Sequence, residues 1–183
     1  MLVPQHIDDS EILLRFVFQD NFKKKNILPD KIIDGDVFLD TRLVGISLQR
    51  IGYSNFEFCK NKAKSINNKI FVGFVLFKKE DYLLACNEFR KIRSQFESIL
   101  EFTPLDNEGN YLINRNIIDE TDEGNPSHSD IIYINPAFTP EEARPNIPLR
   151  IFSKELYRKC RLIIDSNYDN DIVNFDSVES YFQ

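Results

Sequence analysis

The chain contains two histidines, His6 and His128, so any imidazole chemistry must use one of them. His6 is interpreted as an exposed polar residue. His128 stands two residues before Asp130, where an acidic loop meets an apolar run. If that run is a strand, alternation places His128 and Asp130 on one face, where the carboxylate orients the imidazole and raises its pKa, as general base catalysis near neutral pH requires. His128 and Asp130 are therefore candidate catalytic residues, the alternative being that His128 only bonds to the loop backbone.

Arg50 is the third candidate catalytic residue. It ends a predicted strand, Val44–Arg50, on the face that carries the apolar side chains of that strand. A cation at that position either forms a salt bridge at the rim or lines a pocket. In one pocket with His128, Arg50 would bind a phosphate or a carboxylate. This arrangement predicts a transferase or hydrolase acting on a phosphate-containing or nucleotide substrate, provided that both side chains reach the same cavity.

The common catalytic and metal-binding motifs are absent. The chain has no dinucleotide or P-loop glycine pattern, no zinc-protease or nucleophile-elbow motif and no paired CxxC. The string Ser127–Asp130 does not predict a triad, because triad residues converge from separate elements. Four acids that could join His128 and Asp130 around a metal lack a ligand spacing; they are Asp119, Glu120, Asp122 and Glu123. We predict no metal and no cofactor.

A nucleic-acid accessory role is a second alternative. Lys60, Lys62 and Lys64 interleave with aromatic residues, as in a binding patch. The role would need these lysines to share one surface with Lys23–Lys25 and with the basic stretch Arg144–Arg161. The net charge of −6 and pI near 5.0 argue against a generally basic domain.

The C-terminal residues 167–183 form an acidic, aromatic tail. Its aromatic side chains either fold back on the domain or dock on another chain, since an exposed aromatic cluster is unfavourable in water. A basic surface such as Arg144–Arg161 of a second copy would match its charge. The candidate partner-binding residues are Tyr168, Phe175, Tyr181 and Phe182. With the missing motifs, the tail favours a small accessory or subunit protein that acts through contacts with another chain or in a homo-oligomer.

The cysteine pattern and hydropathy indicate a reducing compartment. Three cysteines, Cys59, Cys86 and Cys160, are odd in number and far apart, which predicts free, buried thiols. The sequence contains no run of 18 apolar residues and no signal-sequence pattern. We therefore expect neither a membrane span nor secretion. Abundant Ile and Asn with no Trp suggest an AT-rich, bacterial coding bias. We expect a cytoplasmic bacterial protein.

The elements that position these residues follow from periodicity. Capping boxes predict helices after Asp8 and Ser54. The unbroken apolar run Ile70–Phe77 predicts a strand at the centre of a sheet. A three-and-four spacing from Tyr82 to Ile99 predicts a long helix, and Ser153 is a candidate cap for a last one.

These elements define the predicted fold class, α+β. We expect a single domain over residues 1–166, with a mixed or mostly antiparallel sheet of about five strands and two or three packed helices. Residues 167–183 would form the tail outside it.

Overall fold

The computed structural model of the chain describes residues 1–39, 45–112, 117–134 and 147–183. In these residues, six strands pair into one antiparallel sheet in the order β4-β5-β2-β1-β3-β6. The strands are β1 Ile12–Phe18, β2 Gly45–Arg50, β3 Phe71–Lys78, β4 Ser98–Phe102, β5 His128–Tyr133 and β6 Arg161–Ile164. Parts of two predictions lie outside the described residues: Val44 of the second strand, and residues 144–146 of the basic stretch Arg144–Arg161.

Helices cover the sheet on both faces. They are α1 Asp34–Val37, α2 Phe56–Lys64, α3 Lys79–Ile92 and α4 Ile147–Tyr157. The face that packs against α1, α3 and α4, here the α3 face, buries Leu13, Leu48 and Phe77 with Phe152. The opposite face, the α2 face, buries Leu14 and Leu76 with α2 and the C-terminal tail. The α+β prediction is confirmed, with six strands and three main helices, α2, α3 and α4.

The helix predicted after Asp8 is wrong, because this segment forms β1. A turn closes at the expected cap, where the amide of Glu11 donates to the carbonyl of Asp8. The chain then pairs with β2 and β3 on its two sides. Its apolar side chains are buried on both faces of the sheet, because the adjacent residues Leu13 and Leu14 face opposite sides and both are fully buried. A helical stripe would have buried one face only, so pairing overrides the local capping signal.

The long helix predicted from Tyr82 ends at Ile92, seven residues early. Phe96 nevertheless returns to the core through a turn, and its ring lies 4.8 Å from that of Phe89. The three-and-four spacing of core residues therefore extends beyond Ile92, where the helix ends. Beyond it, Ile99 belongs to β4.

Two further expectations are corrected. Ser153 does not cap a helix but lies inside α4, where its hydroxyl accepts from the amide of Phe38. The predicted strand Ile70–Phe77 forms as β3 and is buried on both faces, although it lies between β1 and β6 rather than at the middle of the sheet. The helix predicted after Ser54 is present, with Asn55 as its cap.

Candidate functional site

His128 and Asp130 lie on the α2 face of β5, as alternation predicts, and join a hydrogen-bonded cluster with Thr103. The register pairs His128 with Gln49 and Asp130 with Ser47. The Nδ1 of His128 lies 2.8 Å from the carbonyl oxygen of Thr103, which can only accept, so Nδ1 carries the proton. The hydroxyl of Thr103 donates to Asp130 Oδ2 at 2.8 Å, and the hydroxyl of Tyr111 donates to the same oxygen at 3.2 Å.

The electrostatics of the cluster differ from the prediction. Burial lowers the pKa of His128, and the Asp130 carboxylate and the Thr103 carbonyl oppose this only in part. The carboxylate does not raise the pKa overall, because the imidazole is almost completely removed from water. The Thr103 carbonyl, rather than Asp130, makes the short hydrogen bond that orients the ring, since Asp130 Oδ2 lies 3.7 Å from Nδ1. A catalytic role for His128 and Asp130 stays a prediction.

Arg50 lies on the opposite face of the sheet from His128. His128 pairs with Gln49, and neighbouring residues of a strand face opposite sides. The guanidinium is fully buried and donates to both carboxylate oxygens of Glu11 and to the carbonyls of Pro4 and His6. The predicted shared pocket of Arg50 and His128 therefore does not form, and Arg50 ties the N-terminal segment to the sheet.

The three lysines predicted to bind nucleic acid are engaged within the chain. Lys60 is fully buried, and its Nζ lies 2.7 Å from Asp165 Oδ2, 2.8 Å from the carbonyl of Asn167 and 2.7 Å from that of Ile172. Lys64 pairs with Asp171. Lys62 lies over the ring of Phe58, 5.5 Å from its centroid. Lys60 and Lys64 hold the tail. The burial of Lys60 removes it from any nucleic-acid surface, and a nucleic-acid contact of Lys62 and Lys64 stays a prediction.

The aromatic side chains of the tail fold back on the α2 face instead of projecting as a partner-binding surface. Phe175 stacks on Phe56 with 4.6 Å between ring centroids. Tyr181 packs edge-on against the same ring, and Phe182 lies under the ammonium of Lys78. Tyr168 is half-buried against the core. Of the two alternatives for these side chains, the structure shows folding back on the domain, and a partner-binding role stays a prediction.

The edge strand β4 presents unpaired backbone. Among the described strands it pairs with β5 only. The carbonyl of Glu97 accepts from the amide of Ile134, and the amide of Thr103 donates to the carbonyl of His128. In an antiparallel pair these bonded positions alternate with positions that point away. The N–H and C=O groups of Ser98, Leu100 and Phe102 therefore point outward, and no strand in the described ranges pairs with them.

Two clefts lie along this edge. Beside the first half of β4, a cleft of about 240 Å³ separates the strand from α3, with Leu83, Cys86 and Arg90 in its wall. Beside the second half, a cleft of about 490 Å³ is lined by Glu101, Thr103 and Tyr111. Residues 98–104 all line one cleft or the other, so the open edge runs the length of both.

The sequence does not reveal this edge, because the spacing from Tyr82 to Ile99 predicts a helix over the same residues. The signal was an alternation over residues 97–102, in which Ser98, Leu100 and Phe102 face the core and Glu97, Ile99 and Glu101 face away. Six residues of period two are a weak pattern beside an eighteen-residue helical stripe.

No family profile, curated protein or solved structure matches the chain. No described helix is long and apolar enough to cross a membrane. In the part of the chain that the structure describes, no three His, Cys, Asp or Glu side chains converge as metal ligands.

The buried His128 predicts a pH dependence of stability. Its pKa is lowered by folding, so the unfolded chain takes up the proton first as the pH falls. The neutral form of His128 therefore makes its full contribution to the free energy of unfolding above pH ~6.5, and this contribution is lost as the pH falls below that value. Urea denaturation of the wild type should therefore show a lower free energy of unfolding at pH ~5.5 than at ~7.5, and His128→Gln should reduce this difference. His6→Gln, at the exposed histidine, should keep the full difference. An equal pH dependence of the free energy of unfolding in the two variants would contradict the assignment of the effect to His128.

The buried Lys60 predicts a second stability effect. Lys60→Met leaves the buried side chain of Asp165 without its partner, and loss of one member of a buried pair costs about 3 kcal/mol or more. Lys62→Met, two residues further along α2 and on the opposite side of the helix, should change the free energy of unfolding by less than ~0.5 kcal/mol. Urea denaturation measures both. Equal stability of the two variants would show that the Lys60 contacts do not hold the tail.

Proposed function

We propose that this protein acts through protein–protein contacts, binding an extended segment of another protein as an added strand along the free edge of β4. The observation that carries the proposal is the outward-facing backbone of Ser98, Leu100 and Phe102. Strand addition of this kind takes its affinity from main-chain hydrogen bonds and its specificity from pockets for alternate side chains. β4 offers outward backbone groups for such hydrogen bonds, and the clefts beside it could take such side chains.

The clefts on either side supply the pockets. An added strand would send alternate side chains to the two faces of the sheet. On the α3 face they would meet Leu83 and the half-buried Leu100 in the smaller cleft. On the other face they would meet Ile99, which is 41% exposed, and the larger cleft with Tyr111. The open edge of β4 is thus flanked by clefts that could accept the side chains of an added strand.

Charge disfavours a second copy as the occupant. Glu97 and Glu101 are both exposed on the outer face of β4. Pairing this edge with itself would bring four carboxylates onto one narrow face, and such charges are a common protection against self-association of edge strands. A segment of a different protein does not meet this repulsion.

The matched pair Leu100→Pro and Leu100→Ala tests the proposal. Both variants lose the packing of the Leu100 side chain, but only proline removes the outward N–H, and it leaves the ladder to β5 intact. Peptides selected for binding from a random twelve-residue library serve as the probe. Fluorescence anisotropy should show binding about tenfold weaker for the proline variant than for the alanine variant.

Three results would overturn the proposal. The first is failure of the library to yield a binder, and the second is equal affinity of the two variants. The third is a dimer in sedimentation that Leu100→Pro converts to a monomer, which would make a second copy the occupant. If Leu100→Pro does not fold, amide exchange of the wild type replaces it: a bound peptide should slow exchange at Ser98, Leu100 and Phe102, and unchanged rates would count against the edge.

A further inference from the structure

We infer that the segment bound at β4 carries two basic residues four positions apart, with an apolar residue midway between them. This inference rests on the proposed function and specifies the chemistry of the partner. It follows from the side chains that β4 presents on its exposed face.

Residues directly opposite each other in paired strands share a face. A strand added at the free edge would therefore place three of its side chains beside Glu97, Ile99 and Glu101. The side chains between them would lie beside Ser98 and Leu100, along the cleft against α3. Register along the edge thus fixes a pattern of five residues.

The two glutamates supply the charge that selects this pattern. Neither Glu97 nor Glu101 forms an ion pair with another described residue. Glu101 also stands directly opposite Asp130 of β5, and like charges in that position destabilise a sheet. The neighbouring His128 does not compensate them, since burial favours its neutral form. A lysine or arginine on the far side of Glu101 would relieve this repulsion.

Ile99 sets the middle position. Its side chain is 41% exposed between the two glutamates. An isoleucine, leucine or valine directly opposite would cover it, and apolar cross-strand pairs stabilise a sheet by an amount similar to opposite charges. A basic–apolar–basic alternation therefore matches the exposed face of β4 at all three positions.

Synthetic peptides test the inference. The probe contains Lys-Val-Ile-Thr-Lys between glycine–serine flanks, and matched peptides replace both lysines by glutamine or by glutamate. Fluorescence anisotropy should show the lysine peptide binding more tightly than the glutamine peptide by about twofold to fivefold per lysine, and the glutamate peptide weakest. The lysine preference should shrink as salt is raised.

The charge reversal Glu97→Lys with Glu101→Lys supplies the matched protein variant. Both side chains are exposed, so the double variant should fold, and it should prefer the glutamate peptide. If the glutamine and lysine peptides bind equally and Leu100→Pro weakens both, the basic pattern is wrong while the edge proposal stands. If none of the peptides binds and the random library also yields nothing, the proposed function itself fails.

Discussion

Each strand of a sheet forms backbone hydrogen bonds on two sides, and an outermost strand has a neighbour on one side only. In this protein the geometry of the sheet, which combines this constraint with the alternation of side chains along each strand, places the three candidate catalytic residues. It puts His128 and Asp130 on the α2 face, puts Arg50 on the α3 face, and leaves alternate backbone groups of β4 without a partner strand in the described part of the chain. The shared catalytic pocket does not form because neighbouring side chains of a strand face opposite sides, and the edge of β4 is open because β4 is the outermost described strand.

Two buried cations hold the ends of the chain to this sheet. Arg50 pairs with Glu11 and donates to two carbonyls of the N-terminal segment. Lys60 pairs with Asp165 and donates to two carbonyls of the tail. Each ion is compensated by a carboxylate and by backbone dipoles, as burial of a charge requires. Arg50 and Lys60, which suggested catalysis and nucleic-acid binding, thus have structural roles, and the tail that suggested a partner covers the α2 face.

The sequence was informative where one pattern dominated. The apolar run of β3 and the alternation at His128–Asp130 led to the correct elements and faces, because strand periodicity determines both. It misled at β1, where a capping signal competed with pairing on two sides. At β4 a helical spacing continued through Phe96 because a turn returned that ring to the core. The burial of Arg50 and Lys60 depends on segments distant in sequence, so no local pattern predicts it.

Amide exchange of the free protein, followed residue by residue, tests the central claim most directly. The account predicts an alternation along β4, in which the amides of Ser98, Leu100 and Phe102 exchange rapidly and those of Ile99, Glu101 and Thr103 slowly. Uniform slow exchange across all six positions would show that the edge is already paired, and would contradict the account.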